Sequence, residues 1–198
     1  MASSPSVLYA VTTFVLLGVE RCLYSYVFHC PHDFIHRCRA GAFGVAIQKE
    51  KEYWKGFMSL GVRVKVFQFS VMAYDLCVRN TIQLQGAGFV LGAALVVAGQ
   101  VLNASVFKAL GCIGVYYGHE LGYRVPRVTA FPYNLGFSDP QYWGVIVTIF
   151  GLYVMLNVQS FFIPYVELFW YGMSMVFLEH PTNGKSVLNA LLGTCIRN

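Results

Sequence analysis

Two neighbouring side chains near the C-terminus, Glu179 and His180, place a carboxylate and an imidazole directly after a long apolar stretch. Such a pair can bind a cationic ligand, accept a hydrogen bond from a ligand hydroxyl or take up a proton. Polar residues also end most membrane spans, so the motif LEHP (178–181) by itself leaves a binding role and a simple helix end both open.

A second ionisable pair, His119 and Glu120, closes another apolar stretch within the motif GVYYGHELG (114–122). Ionisable groups at such a position are costly without a role, although long side chains also reach the lipid headgroups there. The same motif carries a glycine at every fourth position. On a helix, that spacing predicts one smooth face, suited to packing against another helix or to contact with a flat ligand.

The motif HCPHDFIHRC (29–38) concentrates histidine and cysteine, the side chains that zinc prefers. His32 and His36 share one face if the segment is helical, but no second ligand pair follows at the spacing of a zinc site. Such residues are also typical of the point where a span leaves the bilayer, so the segment is interpreted as an interfacial anchor and no metal is expected. The six cysteines are scattered without a CxxC motif, and we interpret them as small apolar residues rather than a disulfide framework.

The composition indicates that the elements carrying these motifs belong to a membrane protein. Hydrophobic residues make up 57% of the 198 residues and charged residues only 12%, about half of the charged fraction of a soluble domain. No Asp, Glu, Lys or Arg occurs in 80–107 or in 140–166, and apolar runs of this length are candidate membrane spans. The net charge of +5 is not arranged as a basic stripe, which favours a lipid surface as partner and argues against nucleic acid.

Four apolar regions predict the helices: 7–28, 57–78, 84–121 and 142–178. The third is too long for one upright span and is expected to tilt or break near Asn103, and the fourth fits a helical hairpin that turns near Pro164. Lys65 lies near the start of the second region, where its side chain can reach the headgroups. The expected fold class is all-α: a polytopic transmembrane helix bundle of about four to five spans with a C-terminal helical hairpin.

The basic residues predict the orientation of the bundle. None precedes the first span, whereas the loop after it carries five: Arg37, Arg39, Lys49, Lys51 and Lys55. That loop is therefore expected in the cytoplasm. Counting the spans onward also places the proline-rich loop 124–144 and the tail after Glu179 on the cytoplasmic side, so the two are expected to meet on one face.

The order of three motifs in the C-terminal half resembles the phosphatidylethanolamine N-methyltransferase family. RVTAFPYN (127–134) is followed by PQYWG (140–144) and then by LEHP, where members of that family show RVT-x-FPFN, Pro-x-Tyr-x-Gly and Glu-Glu-Pro. The resemblance covers about 86–181, and the N-terminal half agrees only in hydropathy. It implies a single membrane-embedded methyltransferase domain over 1–198, with N-terminal spans and a basic loop (1–83), a catalytic part (84–181) and a cytoplasmic tail (182–198).

The resemblance further implies that S-adenosylmethionine is the methyl donor and that the amino headgroup of a phospholipid is the substrate, without a metal. The implied donor-binding residues are Gly99, Gln100, Pro140, Tyr142, Gly144, Glu179 and His180. Of the family's Gly-x-Gly element only Gly99 survives, and His180 replaces the second carboxylate of the terminal pair. The candidates for a general base are Glu179, His180, His119 and Glu120, since the attacking amine must be neutral.

The remaining candidates would hold the lipid headgroup. Arginine suits a phosphate and aromatic rings suit a quaternary ammonium, which gives Arg124, Arg127, Tyr133, Asn134 and Trp143. The expected product path runs toward phosphatidylcholine, at the endoplasmic reticulum membrane with the site facing the cytosol. Two alternatives stay open: a methyltransferase of the same superfamily acting on an isoprenylcysteine carboxylate or on a small thiol or amine, and a membrane protein without catalytic activity. Neither the methylation step nor the oligomeric state follows from the sequence.

Overall fold

A computed structural model describes residues 6–42, 52–84, 86–136 and 138–180. Six α-helices contain most of these residues: α1 (Val7–His29), α2 (Pro31–Arg39), α3 (Tyr53–Tyr74), α4 (Gly86–Val115), α5 (Pro140–Met155) and α6 (Phe162–Met173). One π-helical turn continues α3 over Asp75–Arg79, and another continues α6 over Ser174–Leu178. A short 3-10 helix, Tyr133–Leu135, lies in the loop before α5. All regular structure within these ranges is helical, so the expected all-α class is confirmed.

Two of the helices, α1 and α4, are long and apolar enough to cross a membrane, and α5 and the continuous α6 segment are shorter apolar helices. Their outer faces expose large aliphatic side chains, such as Val11 and Val15 of α1 and Val90 and Leu91 of α4. A soluble protein would bury such residues, whereas lipid tails accept them. The fold agrees with the expected bundle of membrane helices.

The helices α4 and α5 approach each other closely through two glycines on each helix. A Cβ atom on Gly92 would lie 2.2 Å from the backbone nitrogen of Met155, and one on Gly99 would lie 2.5 Å from the carbonyl oxygen of Gly144. On α5, a Cβ atom on Gly151 would lie 2.7 Å from the backbone nitrogen of Val96. The glycines are seven residues apart on each helix, which is the repeat that keeps one seam facing a partner helix.

The C-terminal hairpin is confirmed, but its turn is not at Pro164. The chain turns over 156–161, where Asn157 adopts a left-handed conformation with φ of 47°. Pro164 instead lies in the first turn of α6. Proline is tolerated there because the first backbone amides of a helix have no partner within the helix.

The third apolar region does break, but not near Asn103, which lies inside α4. The break is at Gly111, whose φ of 66° and ψ of 173° are not helical, and the chain leaves the helix after Val115. The expected smooth glycine face over 114–122 is therefore wrong, because Gly118 and Gly122 lie in turns. Gly122 has a φ of 86°, a conformation that glycine adopts without steric cost.

Hydrogen bonds define the two ends of the bundle. At one end, Tyr9 of α1 and Tyr153 of α5 both donate to Asp75 at the end of α3. At the other end, His29 of α1 contacts the carbonyl oxygen of Leu178. The loop 124–144 and Glu179 lie at this second end, as expected from the count of spans, and the tail 182–198 lies outside the described residues.

Two smaller expectations are wrong. Lys65 does not extend toward the headgroups, because its ammonium lies inside the bundle, 2.7 Å from a carboxylate oxygen of Glu20 on α1. Cys30 is disulfide-bonded, whereas the other four cysteines of the described ranges, Cys22, Cys38, Cys77 and Cys112, are free.

Candidate functional site

The geometric centre of the candidate site is the contact between Tyr142 and Glu179. The Tyr142 hydroxyl lies 2.7 Å from Oε1 and 2.8 Å from Oε2 of Glu179, to which it donates. Pro140 begins α5, which places Tyr142 in its first turn, buried against the bundle. Glu179 follows the π-helical turn 174–178, and its backbone amide donates to the Ser174 carbonyl at 3.0 Å. Two motifs that lie 37 residues apart in the sequence therefore meet, as expected.

A second tyrosine, Tyr117, extends this contact toward α4. Its hydroxyl oxygen lies 3.2 Å from that of Tyr142, and its ring stacks on Phe57 of α3 with 5.4 Å between the ring centroids. Tyr117 has a φ of 54° in the turn after α4, a conformation that is uncommon outside glycine and marks a constrained position. Three parts of the chain thus converge on the Glu179 carboxylate: the turn after α4, the start of α5 and the end of α6.

A further carboxylate, Asp139, precedes α5 and lies close enough to Glu179 to interact electrostatically. Burial of its carboxyl group raises the pKa of Asp139, and the negative charge of Glu179 raises that pKa further. Two carboxylates at one point make this end of the bundle attractive to a cation.

The backbone next to Glu179 is held by α1. The Leu178 carbonyl oxygen accepts a hydrogen bond from the Ser25 hydroxyl at 2.8 Å, and Nε2 of His29 lies 2.6 Å from the same oxygen. Leu178 is the last residue of this helical segment, and the final carbonyl groups of a helix have no partner within it, so side chains from another helix supply the donors here. The position of Glu179 consequently depends on α1 as well as on α6.

A buried ionic cluster adjoins the site from within the bundle. Arg21 and Lys65 both bind the same oxygen of Glu20, at 2.8 and 2.7 Å, and Lys65 also donates to the Tyr171 hydroxyl at 2.8 Å. The Arg21 guanidinium lies over three tyrosine rings, with 4.6 Å to the centroid of Tyr24, 4.8 Å to Tyr142 and 4.3 Å to Tyr171. The cluster therefore touches the site directly through the ring of Tyr142.

Gly99 and Gly144 lie opposite each other in the seam between α4 and α5, where they allow the two backbones to approach. Asn103 lies one helical turn beyond Gly99, and its Oδ1 is 2.8 Å from the point where a Cβ on Gly144 would lie. This oxygen is buried without a hydrogen-bond partner. A buried acceptor of this kind is rare in folded proteins and calls for a water or a ligand donor. The Gln100 side chain instead bonds to Thr148 at 3.1 Å.

The other sequence candidates lie around the same end of the bundle, and most of them are exposed. His119, Arg124, Arg127, Asn134, Trp143 and His180 are exposed, whereas Glu120 and Tyr133 are half-buried. Of the four candidate bases, the structure brings Glu179 into direct contact with the buried tyrosines. In the described part of the chain, no three His, Cys, Asp or Glu side chains gather as a possible metal site.

Sequence reasoning missed Glu20 and Arg21. A signal existed, because both charges lie inside the predicted first span, and an ionisable residue within a span indicates a function or a buried partner. That signal did not predict which helix face the two residues occupy, or that Arg21 lies over the ring of Tyr142. No feature of the sequence marked Ser25 or Tyr117 as functional residues.

Comparison with known proteins gives a family for the part of the chain that carries the site. The family model described as Phospholipid methyltransferase matches residues 87–185, which is half of the chain and includes Asn103, Tyr142 and Glu179. No solved structure matches the chain at a significant level.

Three curated relatives match over shorter segments. The phosphatidyl-N-methylethanolamine N-methyltransferase of Arabidopsis thaliana is 37% identical over 86 residues, 43% of this chain and 49% of that protein. The phosphatidylethanolamine N-methyltransferase of Homo sapiens is 40% identical over 70 residues, 35% of each chain. The phosphatidylethanolamine N-methyltransferase B of Dictyostelium discoideum is 31% identical over 93 residues, 46% of each chain. The matched segments span about half of these relatives or less. Because the family model covers half of the chain and all of the site's convergent elements, the protein belongs to the phospholipid methyltransferase family.

Proposed function

We propose that this protein is a membrane enzyme that transfers methyl groups from S-adenosylmethionine to the amino group of phosphatidylethanolamine, or of its mono- and dimethyl forms, toward phosphatidylcholine. The observation that carries the proposal is the contact between Tyr142 and Glu179 within the family-matched segment. It brings together PQYWG and LEHP, the motifs in which the family resemblance resides. The names of the relatives from Arabidopsis thaliana and Homo sapiens describe N-methylation of this headgroup.

The residues at this end of the bundle fit the proposed donor. S-Adenosylmethionine carries a positive sulfur, an ammonium group and two ribose hydroxyls, so it needs hydrogen-bond acceptors and negative charge. Glu179 and Asp139 supply negative charge, and the orphaned Oδ1 of Asn103 is a buried acceptor without a partner. We infer that Glu179 and Asn103 hold the donor, with Pro140, Tyr142 and Gly144 forming the adjoining wall.

When bound, the donor supplies a methyl group that is already activated by the positive sulfur. The protein then contributes mainly alignment, because the nitrogen, the methyl carbon and the sulfur must lie on one line. Tyr142 holds the Glu179 carboxylate through a hydroxyl that is within hydrogen-bond distance of both carboxylate oxygens. The attacking amine must be neutral, and Glu179, His180, His119 and Glu120 are our candidates for the group that accepts its proton.

The substrate headgroup is assigned to the exposed side chains of the loop before α5. Arg124 and Arg127 are exposed there and suit the lipid phosphate, because guanidinium groups bind phosphate oxygens bidentately. Tyr133 and Trp143 present rings to a methylated ammonium, whose charge is attracted to an aromatic face. Asn134 offers both a donor and an acceptor at the same edge. In this proposal the whole chain 1–198 is one domain, with 84–181 as its catalytic part.

The proposed site faces the cytosol from the endoplasmic reticulum membrane. The donor is a charged, water-soluble metabolite, so it must enter from an aqueous compartment. Arg37 and Arg39 of α2 lie at the same end of the bundle as Glu179, and basic residues mark the cytoplasmic side of membrane proteins.

Expression in cells that lack phosphatidylcholine synthesis by methylation tests this proposal. Membranes are incubated with methyl-labelled S-adenosylmethionine, and the lipids are separated. We expect label in the mono-, di- or trimethylated phospholipids, and none with the Glu179→Ala variant expressed at the same level. Label that appears only in protein or in a volatile product would support the other substrates named above and would contradict the phospholipid assignment.

A further inference from the structure

The Arg21 side chain is a charged group that lies deep in the bundle and outside the family-matched segment. It is 2% exposed, and its ion pair is with Glu20, at 2.8 Å through Nη2. Its Nε and Nη1 atoms are buried without a hydrogen-bond partner. Burying two donors in this way is costly, and the pair with Glu20 alone is weak evidence of a stabilising role.

The Arg21 guanidinium also interacts with aromatic rings. It lies over the faces of Tyr24, Tyr142 and Tyr171, all within 4.8 Å of the ring centroids. A cation over an aromatic face attracts the ring and is worth most when both are removed from water. The charge also draws electron density from the Tyr142 ring, which makes its hydroxyl a better donor to the Glu179 carboxylate.

We propose that Arg21 is a positioning residue for the methyl-donor site: it holds the ring of Tyr142, and through the Tyr142 hydroxyl it sets the orientation of the Glu179 carboxylate. The proposal rests on the proposed function in that it takes Glu179 to contact the donor. It assigns to α1, which the family model does not match, a part in a site built otherwise from α4, α5 and α6.

Lys65 provides a matched comparison within the same cluster. Like Arg21, it binds Oε2 of Glu20 and lies over Tyr171, at 5.5 Å. Its ion-pair and hydrogen-bond contacts are with Glu20, Gln68 and Tyr171, so it meets Tyr142 only through Tyr171, whose ring centroid lies 5.2 Å from that of Tyr142. Removal of Lys65 therefore perturbs the ionic cluster without removing the cation from Tyr142, whereas removal of Arg21 does both.

The experiment measures donor affinity in the purified full chain, with S-adenosylmethionine as the titrated ligand, for wild type, Arg21→Gln, Arg21→Lys and Lys65→Met. We expect Arg21→Gln to weaken donor binding about tenfold or more, Arg21→Lys to recover most of the loss, and Lys65→Met to stay within about twofold of wild type. In a Tyr142→Leu background, Arg21→Gln should cause no further loss, since its effect passes through that ring. Equal losses for Arg21→Gln and Lys65→Met, or additive losses with Tyr142→Leu, would overturn the proposal.

A second measurement does not depend on the donor. A 3-fluorotyrosine incorporated only at position 142 reports the environment of that ring by ¹⁹F NMR in the ligand-free protein. We expect Arg21→Gln to shift this resonance and Lys65→Met to leave it nearly unchanged. Failure of the wild type to bind S-adenosylmethionine would refute the proposed donor but not the contact, whereas an unshifted resonance in Arg21→Gln would refute the contact itself.

A second variant tests the proposal if Arg21→Gln does not fold. If that variant does not fold, Arg21→Met removes the charge without burying an amide, and Lys65 still pairs with Glu20. The same losses in affinity and the same ¹⁹F shift are expected for it, and their absence counts against the proposal in the same way.

Discussion

The two ends of the bundle each hold a carboxylate bound by tyrosine hydroxyls, and the two carboxylates differ in how fully they are satisfied. Asp75 is 1% exposed and accepts hydrogen bonds from Tyr9 at 2.6 Å, from Tyr153 at 2.9 Å and from the Asn80 amide at 3.0 Å. Glu179 is only half-buried and receives the hydroxyl of Tyr142 on both oxygens. Asp75 thus has its partners inside the protein, whereas Glu179 keeps an open side.

The surroundings of the two carboxylates differ in the same way. In the described part of the chain, the buried polar atoms without a hydrogen-bond partner belong to Glu20, Arg21, Asn103, Glu167 and Ser174. None of these belongs to the Asp75 cluster, and Arg21, Asn103 and Ser174 contact the elements that hold Tyr142 and Glu179. Satisfied polar clusters make a bundle rigid, whereas a buried polar atom without a partner calls for a water, an ion or a ligand group. This difference supports a structural role for the Asp75 end and the proposed binding role for the Glu179 end.

The first prediction tests whether the two ends face different compartments, and its effect is all-or-none. Cysteines are introduced singly at Asn134, near Glu179, and at Gln159, near Asp75, in a chain whose free cysteines 22, 38, 77 and 112 are replaced. In sealed microsomes, an impermeant maleimide should label Asn134→Cys directly and Gln159→Cys only after detergent is added. Labelling of both from one side would show that the helices do not separate these ends by a membrane.

The largest expected loss of function follows from Glu179→Ala. Removing a carboxylate that contacts a cationic ligand costs about 4 kcal/mol, a drop in donor affinity of about 1,000-fold. The thermal unfolding temperature should change little, because Glu179 is half exposed. Isothermal titration with S-adenosylmethionine and a thermal-shift assay on the same sample measure both quantities. Affinity within a few-fold of wild type would remove Glu179 from the donor site.

The reverse pattern is expected for Asp75→Ala. The substitution leaves the buried hydroxyl of Tyr153 and the half-buried hydroxyl of Tyr9 without their acceptor, which costs about 3 kcal/mol of unfolding free energy. Donor affinity of the protein that remains folded should match that of wild type, since Asp75 lies at the opposite end of the bundle. Denaturant titration in detergent measures the stability. A selective loss of donor binding without destabilisation would end the structural assignment of Asp75.

A matched pair of tyrosines sharpens the comparison, because both donate to a carboxylate of the bundle and both are buried. Tyr142→Phe should lower donor affinity about tenfold, or about 1.4 kcal/mol, since it frees the Glu179 carboxylate to rotate. Tyr153→Phe should instead lower stability by about 1 kcal/mol, the usual value of one lost hydrogen bond, with donor affinity unchanged. If both variants behave alike in the two assays, the ends of the bundle do not differ in role.

The smallest effect concerns pH. Burial, together with the charge of Glu179, raises the pKa of Asp139 above its usual value near 3.8. The folded protein therefore holds this proton to a higher pH than the unfolded chain does. The stability that Asp139 contributes is fully present below its usual pKa and is lost as pH rises through the raised pKa. Stability measured against pH should show this decline in wild type and not in Asp139→Asn, and equal profiles would show that the pKa of Asp139 is not raised in the folded protein.

The C-terminal hairpin shows how far the sequence reaches in predicting the fold. An apolar region of 37 residues with one charge is too long for a single span, so two helices follow from length alone. The sequence did not predict where the hairpin turns, because proline is tolerated both in a loop between helices and in the first turn of a helix. Asn157 and the neighbouring polar residues make the turn, and only the packing of α5 against α4 shows that α5 ends there.

The candidate site was predicted in its C-terminal part and missed in its N-terminal part. Tyr142 and Glu179 were found because they belong to motifs whose residue order is specific. Glu20, Arg21 and Ser25 belong to no such motif, and a helix of nearly uniform apolarity does not reveal which of its faces is buried. Their partners on other helices lie between 45 and 153 residues away, and contacts over such distances are decided by tertiary packing.

The sequence by itself determined that the chain is an all-α bundle of apolar helices, that its last region is a hairpin, and that two polar motifs end up at one face. These follow from the amount and the spacing of apolar residues, because burial in lipid or protein is set by composition over whole segments. Only the tertiary structure decided that Tyr142 reaches Glu179, that Asp75 is fully satisfied while Asn103 is not, and that Arg21 lies over Tyr142. Those outcomes depend on helix rotation and on approaches of a few ångströms, which arise when all six helices pack together.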